Sequence, residues 1–123
     1  MNEPFIRQWI AALRSDRYRQ IVKHLYIGDD PDGRKRMCVM GVACDINGDS
    51  WMFTGAEYIP TAVGWYKGYS RTGLGTGEIN DLIRRNNAGE SFASLADYLE
   101  SLLPRDAIPA SVRAIFDVET EAA

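Results

Sequence analysis

Apolar positions recur at helical spacing at the start of the chain and again in its last third. A capping Asn2 and a first-turn Pro4 precede an apolar stripe formed by Phe5, Ile6, Trp9, Ile10 and Leu13. This pattern predicts a helix over 3–15. A second stripe runs through 77–87, Gly89 follows as a stop, and a third stripe runs from Ser91 to Pro104. The two later stripes predict a helical corner at the C-terminal end.

The segments between these helices are shorter. Residues 18–27 fit either a helix or a strand, and the turn-rich Gly28-Asp-Asp-Pro-Asp-Gly33 that follows favours a strand in the second half. Residues 34–39 are then expected to form the returning strand. The small-residue segment 40–46 predicts a buried helical turn, and 50–54 is a candidate strand.

Three further elements are expected. Pro60 is expected to open a short helical piece that holds Val63 and Trp65, and residues 67–75 are rich enough in Gly, Ser and Thr to form a loop. A last short helix is expected over 109–116. Together the pattern predicts an α+β fold, a small antiparallel sheet with an N-terminal helix and a C-terminal helical corner. One globular domain over 1–118 and a frayed tail over 119–123 complete the prediction.

Composition narrows the class of protein. The chain has 123 residues, 46% of them hydrophobic and 25% charged, which is typical of one globular domain. It has no apolar run near the ~18 residues of a membrane span and no cleavable leader, so a cytoplasmic protein that does not bind membranes is expected. Two cysteines and one histidine are too few for a structural zinc site, and no metal or cofactor is predicted.

Two elements of the sequence are distinctive in order and spacing. The first is Cys38-Val-Met-Gly41-Val-Ala-Cys44-Asp45, and the second runs from Asn86 through Gly89 to Ser91-Phe92. With the Trp-containing first helix and Tyr58-Ile-Pro60, they make the chain resemble a family of small proteins from tailed phages and prophages. That family often has a second cysteine where this chain has Val39. The resemblance implies a phage or prophage accessory protein in the bacterial cytoplasm, and it brings no catalytic residues with it.

Cysteine chemistry is one alternative. A thiolate can be activated by an imidazole or by a helix N-terminus, which makes Cys38 and His24 the candidate catalytic residues of a small cysteine-dependent enzyme. However, the apolar neighbours of Cys38 and Cys44 favour a packing role. Cys38 and Cys44 are then expected to be buried free thiols, since a reducing cytosol disfavours a disulfide.

The charge distribution suggests a binding surface. Residues 1–85 carry 12 basic and 10 acidic side chains, whereas 86–123 carry 2 and 7. The basic residues concentrate around the predicted hairpin, and the candidate partner-binding residues are Arg34, Lys35, Arg36, Arg17 and Arg19. A solvated hairpin face is the alternative interpretation.

Three other motifs lack essential parts. Asp45, Asn47 and Asp49 alternate like calcium ligands, but the required glycine and the closing glutamate are missing. The Gly-rich 72–77 has no P-loop lysine. A helix-turn-helix-like regulator is the second alternative function, because residues 91–113 are spaced like that motif, but their acidity disfavours nucleic-acid binding. We therefore expect a non-enzymatic phage accessory protein that binds a host macromolecule, with inhibition of a bacterial defence system as its role. Its oligomeric state is left open.

Overall fold

Ten elements follow one another along residues 1–61 and 66–104, the parts of the chain that the computed structural model describes. The helices are α1 (Glu3–Leu13), α2 (Val39–Ile46), α3 (Lys67–Arg71), α4 (Thr76–Asn87) and α5 (Phe92–Leu102). The strands are β1 (Tyr18–Gln20), β2 (Tyr26–Asp29), β3 (Lys35–Met37), β4 (Trp51–Phe53) and β5 (Tyr58–Pro60). The fold is α+β, as the hydrophobic pattern predicts.

Helix α1 supplies one wall of the core. The Asn2 side chain accepts a hydrogen bond from the backbone N–H of Phe5 at 3.3 Å, which caps the helix. The buried Trp9 donates its indole N–H to the carbonyl of Val39 at 3.0 Å and so ties α1 to α2. The helix ends at Leu13 rather than at the predicted residue 15, because the backbone N–H and the hydroxyl of Ser15 both turn back to the carbonyl of Ala12.

The sheet has five strands in the order β1-β3-β2-β5-β4. It is mostly antiparallel, but β1 runs parallel to β3, so the predicted antiparallel sheet is correct except at this edge. The ambiguous segment 18–27 contains the whole of β1 and the start of β2. The chain reverses between them with Lys23 at φ +68°.

The predicted turn at 28–33 is present, and it has a definite cause. The buried carboxylate of Asp30 accepts backbone N–H bonds from Asp32 at 3.0 Å and from Arg34 at 2.9 Å. Gly33 takes a positive φ of +85°, which glycine adopts without strain. The returning strand is shorter than the predicted 34–39, since Val39 already belongs to α2.

Two predictions in the middle of the chain are wrong. Pro60 itself is not helical, because it ends β5 opposite Trp51, in a position that needs no backbone donor. Val63 and Trp65 lie outside the described residues. The predicted loop over 67–75 contains α3, which forms because Tyr69 is buried and Gly68 packs on α2.

The C-terminal helices follow the pattern closely. Helix α4 covers the predicted 77–87, Gly89 takes φ +94° after it, and the Ser91 hydroxyl caps α5 by accepting from the backbone of Ser94. Leu95 and Leu99 are fully buried. The predicted helix over 109–116, the domain limit at 118 and the tail over 119–123 lie outside the described residues.

The two faces of the sheet differ. Tyr18 and Lys35 lie side by side and both reach Asp45 of α2, which defines the helix-side face. Because side chains alternate along a strand, the residues between these positions lie on the opposite, outer face. Five residues of the outer face, one from each strand, are Arg19, Arg36, Ile27, Ile59 and Met52.

Candidate functional site

The two distinctive sequence elements meet inside the protein. Asn86 of α4 is fully buried, and its carbonyl oxygen accepts hydrogen bonds from the Gln20 side chain at 3.0 Å and from the backbone N–H of Val39 at 3.1 Å. Its amide nitrogen donates to the carbonyl of Ile21 at 2.8 Å. Asn86 therefore joins α4, β1 and the first turn of α2.

Gln20 extends this network to the next helix. Its amide nitrogen also donates to the carbonyl of Glu90 at 2.7 Å, and its carbonyl oxygen accepts from the backbone N–H of Phe92 at 2.9 Å. The bond between Asn86 and Val39 is buried and the others are partly buried, so the network satisfies groups that have little access to water. The element from Asn86 to Phe92 accordingly holds the two C-terminal helices against the sheet, which is a structural role.

The element around Gly41 is also explained by packing. A Cβ atom added to Gly41 would lie 2.1 Å from the carbonyl oxygen of Leu25, and one added to Gly68 would lie 2.5 Å from the Cα atom of Cys44. Asp45, at the end of the element, accepts from the Tyr18 hydroxyl at 2.7 Å and from the Lys35 ammonium at 2.8 Å. Because Leu25 lies against Gly41 and α3 lies against α2 at Cys44, positions 41 and 68 require glycine.

The candidate catalytic pair is poorly suited to nucleophilic catalysis. Cys38 is 7% exposed, and burial raises the pKa of its thiol, although the backbone N–H groups of Gly41 and Met40 act in the opposite direction. Burial also raises the pKa of the Cys44 thiol, and the nearby Asp49 adds to this effect. His24 is exposed and its Nδ1 atom lies 2.9 Å from the carboxylate of Glu57. Its ring therefore already has a carboxylate partner.

Thiol labelling tests this interpretation. Because both thiols are buried and protonated at neutral pH, a reagent such as dithionitrobenzoate should label the native protein at least about tenfold more slowly than the urea-unfolded protein. The native rate should rise only at a pH above the ordinary thiol range. Fast labelling of either cysteine at pH 7 would instead support the cysteine-enzyme alternative.

The calcium-like residues are also used within the fold. Asp49 accepts from the side chain of Asn47 and from the backbone N–H of Gly68, and Asn47 accepts from Arg71. A half-open cleft of about 290 Å³ lies beside them, lined by Asn47, Gly48, Asp49, Ser50, Pro60, Thr61 and Lys67. Within 1–61 and 66–104, no three His, Cys, Asp or Glu side chains are grouped so that they could hold a metal ion.

The Gly-rich segment before α4 packs against the N-terminus of the chain. A Cβ atom at Gly73 would lie 2.7 Å from the backbone nitrogen of Asn2, whose N–H donates to the carbonyl of Thr72 at 2.9 Å. This contact accounts for the glycine at position 73.

The structure brings some of the candidate binding residues together and separates others. Arg19 and Arg36 are direct partners across β1 and β3 on the outer face. Asp30 connects Arg34 to this pair, because its carboxylate lies 2.8 Å from the guanidinium of Arg19 and 3.7 Å from that of Arg34. The hydrogen bond from Arg19 lowers the pKa of Asp30, although burial acts against this. Lys35 lies on the helix-side face.

Arg36 differs from its basic neighbours. Its guanidinium donates to the carbonyls of Gly28 at 3.1 Å and of Ile27 at 3.3 Å, and no carboxylate in the described parts of the chain pairs with it. Arg19, Arg34 and Lys35 each have a carboxylate partner, and Arg17 lies over the ring of Tyr18 at 5.5 Å. Arg36 is therefore the basic residue of this group best able to bind an acidic partner on the outer face.

The sequence interpretation missed the apolar half of this face. Met52 is 50% exposed, and Ile27 and Ile59 are half-buried beside it. The alternation within each strand could have placed these residues on one face, but only if the order and register of the strands were known. A surface with arginines at one edge and apolar side chains at the other is typical of protein-binding surfaces.

Comparisons of the chain with models of protein families, with curated proteins and with solved structures give no match. None of the helices in the described residues is both long and apolar enough to cross a membrane.

Proposed function

We propose that this protein is a non-enzymatic phage or prophage accessory protein that binds an acidic host protein through the outer face of its sheet, and that it thereby inhibits a bacterial defence system. The phage context rests on the resemblance carried by the elements at 38–45 and 86–92. The binding surface rests on the residues of the outer face. Arg36, with no carboxylate partner among the described residues, is the single observation that carries the surface assignment.

The internal contacts of the residues in the two distinctive sequence elements favour a binding protein over an enzyme. Asn86, Gly41 and Asp45 are occupied by internal contacts, and the Cys38 thiol is buried. The phage resemblance, the partly exposed basic and apolar surface, and the buried thiols are together best explained by recognition of a macromolecule.

The structure changes how the basic surface should be tested. Reversing Arg34 or Lys35 would place a carboxylate against Asp30 or Asp45 and would disturb folding. Arg36→Glu sets no carboxylate against another one, because the partners of Arg36 within the described residues are the backbone carbonyls of Gly28 and Ile27, and losing these two bonds should lower the stability only modestly. Arg7→Glu is the matched control, since Arg7 is exposed on α1, away from the sheet, and the change in net charge is the same.

The experiment compares three tagged proteins expressed in a bacterial host. A host protein that the wild type and Arg7→Glu capture equally should bind Arg36→Glu about tenfold more weakly, at a temperature well below the melting transitions of all three proteins. Binding should also weaken between about 0.05 M and 0.5 M salt, because the attraction between exposed charges is screened. Equal binding by Arg36→Glu, or binding that does not depend on salt, would contradict the proposed surface.

A further inference from the structure

Strand β4 lies at the edge of the sheet, and its hydrogen-bonding pattern can be worked out. Within the described residues it pairs only with β5, with Trp51 opposite Pro60 and Phe53 opposite Tyr58. The flanking ladder bonds run from Thr61 N–H to the Ser50 carbonyl and from Thr54 N–H to the Glu57 carbonyl.

These bonds fix which backbone groups point away from β5. Hydrogen-bonded and non-hydrogen-bonded pairs alternate along an antiparallel ladder. Since Ser50 and Thr54 belong to hydrogen-bonded pairs, Met52 does as well, and Trp51 and Phe53 do not. The backbone N–H and C=O groups of Trp51 and Phe53 therefore point toward the open edge of the sheet.

Apart from its length of three residues, this edge lacks the sequence features by which proteins block strand pairing. Residues 50–56 contain no charge and no proline, and Met52 and Phe53 are 50% and 59% exposed. Phe53 extends an aromatic row across the sheet, with its ring centroid 5.0 Å from Tyr58, whose ring lies 4.9 Å from Tyr26. Within 1–61 and 66–104, the strand thus offers both backbone groups without a ladder partner and apolar side chains.

We propose that β4 is a dimerisation edge that pairs with β4 of a second copy, antiparallel and with the two-fold axis at Met52. In this register Trp51 of each copy forms the hydrogen-bonded pair with Phe53 of the other. Trp51 and Phe53, whose backbone groups point outward, lie one residue on either side of Met52. The strand can therefore pair with its own copy without a shift in register. The result is a continuous sheet of ten strands.

The charges and side chains near the axis favour a second copy as the occupant. Continuing the register, Ser50 comes opposite Thr54 of the other copy, and Asp49 comes opposite Gly55, so no like charges face each other. Trp51 meets Phe53 on the helix-side face, and the two Met52 side chains meet on the outer face. Cross-strand aromatic contacts of this kind stabilise strand pairs. The contact area is small, so a weak dimer is expected.

A cysteine at the axis tests this register. The two Met52 Cα atoms should lie about 4.5 Å apart as a non-hydrogen-bonded pair, which is within the range that a disulfide can bridge. The native cysteines do not interfere, because both are buried. Met52→Cys, mildly oxidised at about 100 µM protein, should form a covalent dimer at least about tenfold faster than Val22→Cys. Val22 is similarly exposed, at 41%, but lies outside β4.

Sedimentation of the unmodified protein provides a second measurement. We expect a monomer near 1 µM that shifts toward a dimer at about 100 µM, and Met52→Lys should weaken this association at least tenfold because it brings two ammonium groups together at the axis. Arg36→Glu should leave dimerisation unchanged, which separates this proposal from the proposed function. Equal cross-linking rates for the two cysteine variants, or a monomer at every concentration, would overturn the proposal.

Discussion

Replacing Asn86 with alanine should destabilise the protein by about 3–5 kcal/mol. The variant leaves the backbone N–H of Val39, the carbonyl of Ile21 and one amide hydrogen of Gln20 without their partner in the core. Each buried polar group that loses its hydrogen bond costs about 1–3 kcal/mol. Urea unfolding followed by tryptophan fluorescence would measure the loss.

The neighbouring Asn87 is the matched control. It lies in the same helix but is exposed, and its side chain accepts one bond from the backbone N–H of Lys23 at 2.7 Å. Asn87→Ala should therefore cost about 1 kcal/mol or less. If the two variants unfold at the same urea concentration, the buried network does not hold the helices as described.

Gly41→Ala should destabilise the protein by about 3 kcal/mol through overpacking. The added methyl group would lie 2.1 Å from the Leu25 carbonyl oxygen, which cannot move freely because it accepts the backbone N–H of Cys38 at 3.2 Å. The backbone must shift at the junction of α2 and the sheet. Thermal unfolding of the variant would report the cost.

Gly77→Ala provides the comparison. Gly77 lies in α4, and a Cβ atom there would have no neighbour within 4 Å. Since alanine favours helix more than glycine, this variant should be as stable as the wild type or about 0.5–1 kcal/mol more stable. A loss of stability in Gly77→Ala as large as that in Gly41→Ala would show that the Leu25 contact is not the cause.

Local signals in the sequence predicted the elements that depend on local chemistry. Asn2, Ser91 and Gly89 mark helix ends because each acts within a few residues of itself, and the Asp30 turn closes through its own neighbours. The failures have a different cause. Helix α3 forms in a Gly-rich segment because Gly68 must approach Cys44, a contact across 24 positions that no local pattern reveals.

The candidate site shows the same limit. The basic residues around the hairpin could be listed from the sequence, but their pairing could not. Strand register places Arg19 beside Arg36, and the turn carboxylate of Asp30 then neutralises Arg19 and Arg34 but not Arg36. Met52 joins the same outer face only because β4 lies in the same sheet, four strands from β1.

Hydrogen exchange on the complex with the captured host protein tests the central claim most directly, namely that the outer face of the sheet is the functional surface. We predict slower exchange in peptides covering β1, β3 and the 28–34 turn, with no change in α1 and α5, whose packing faces the core on the other side. Protection confined to α1 and α5, with the sheet and its turn unchanged, would contradict this account.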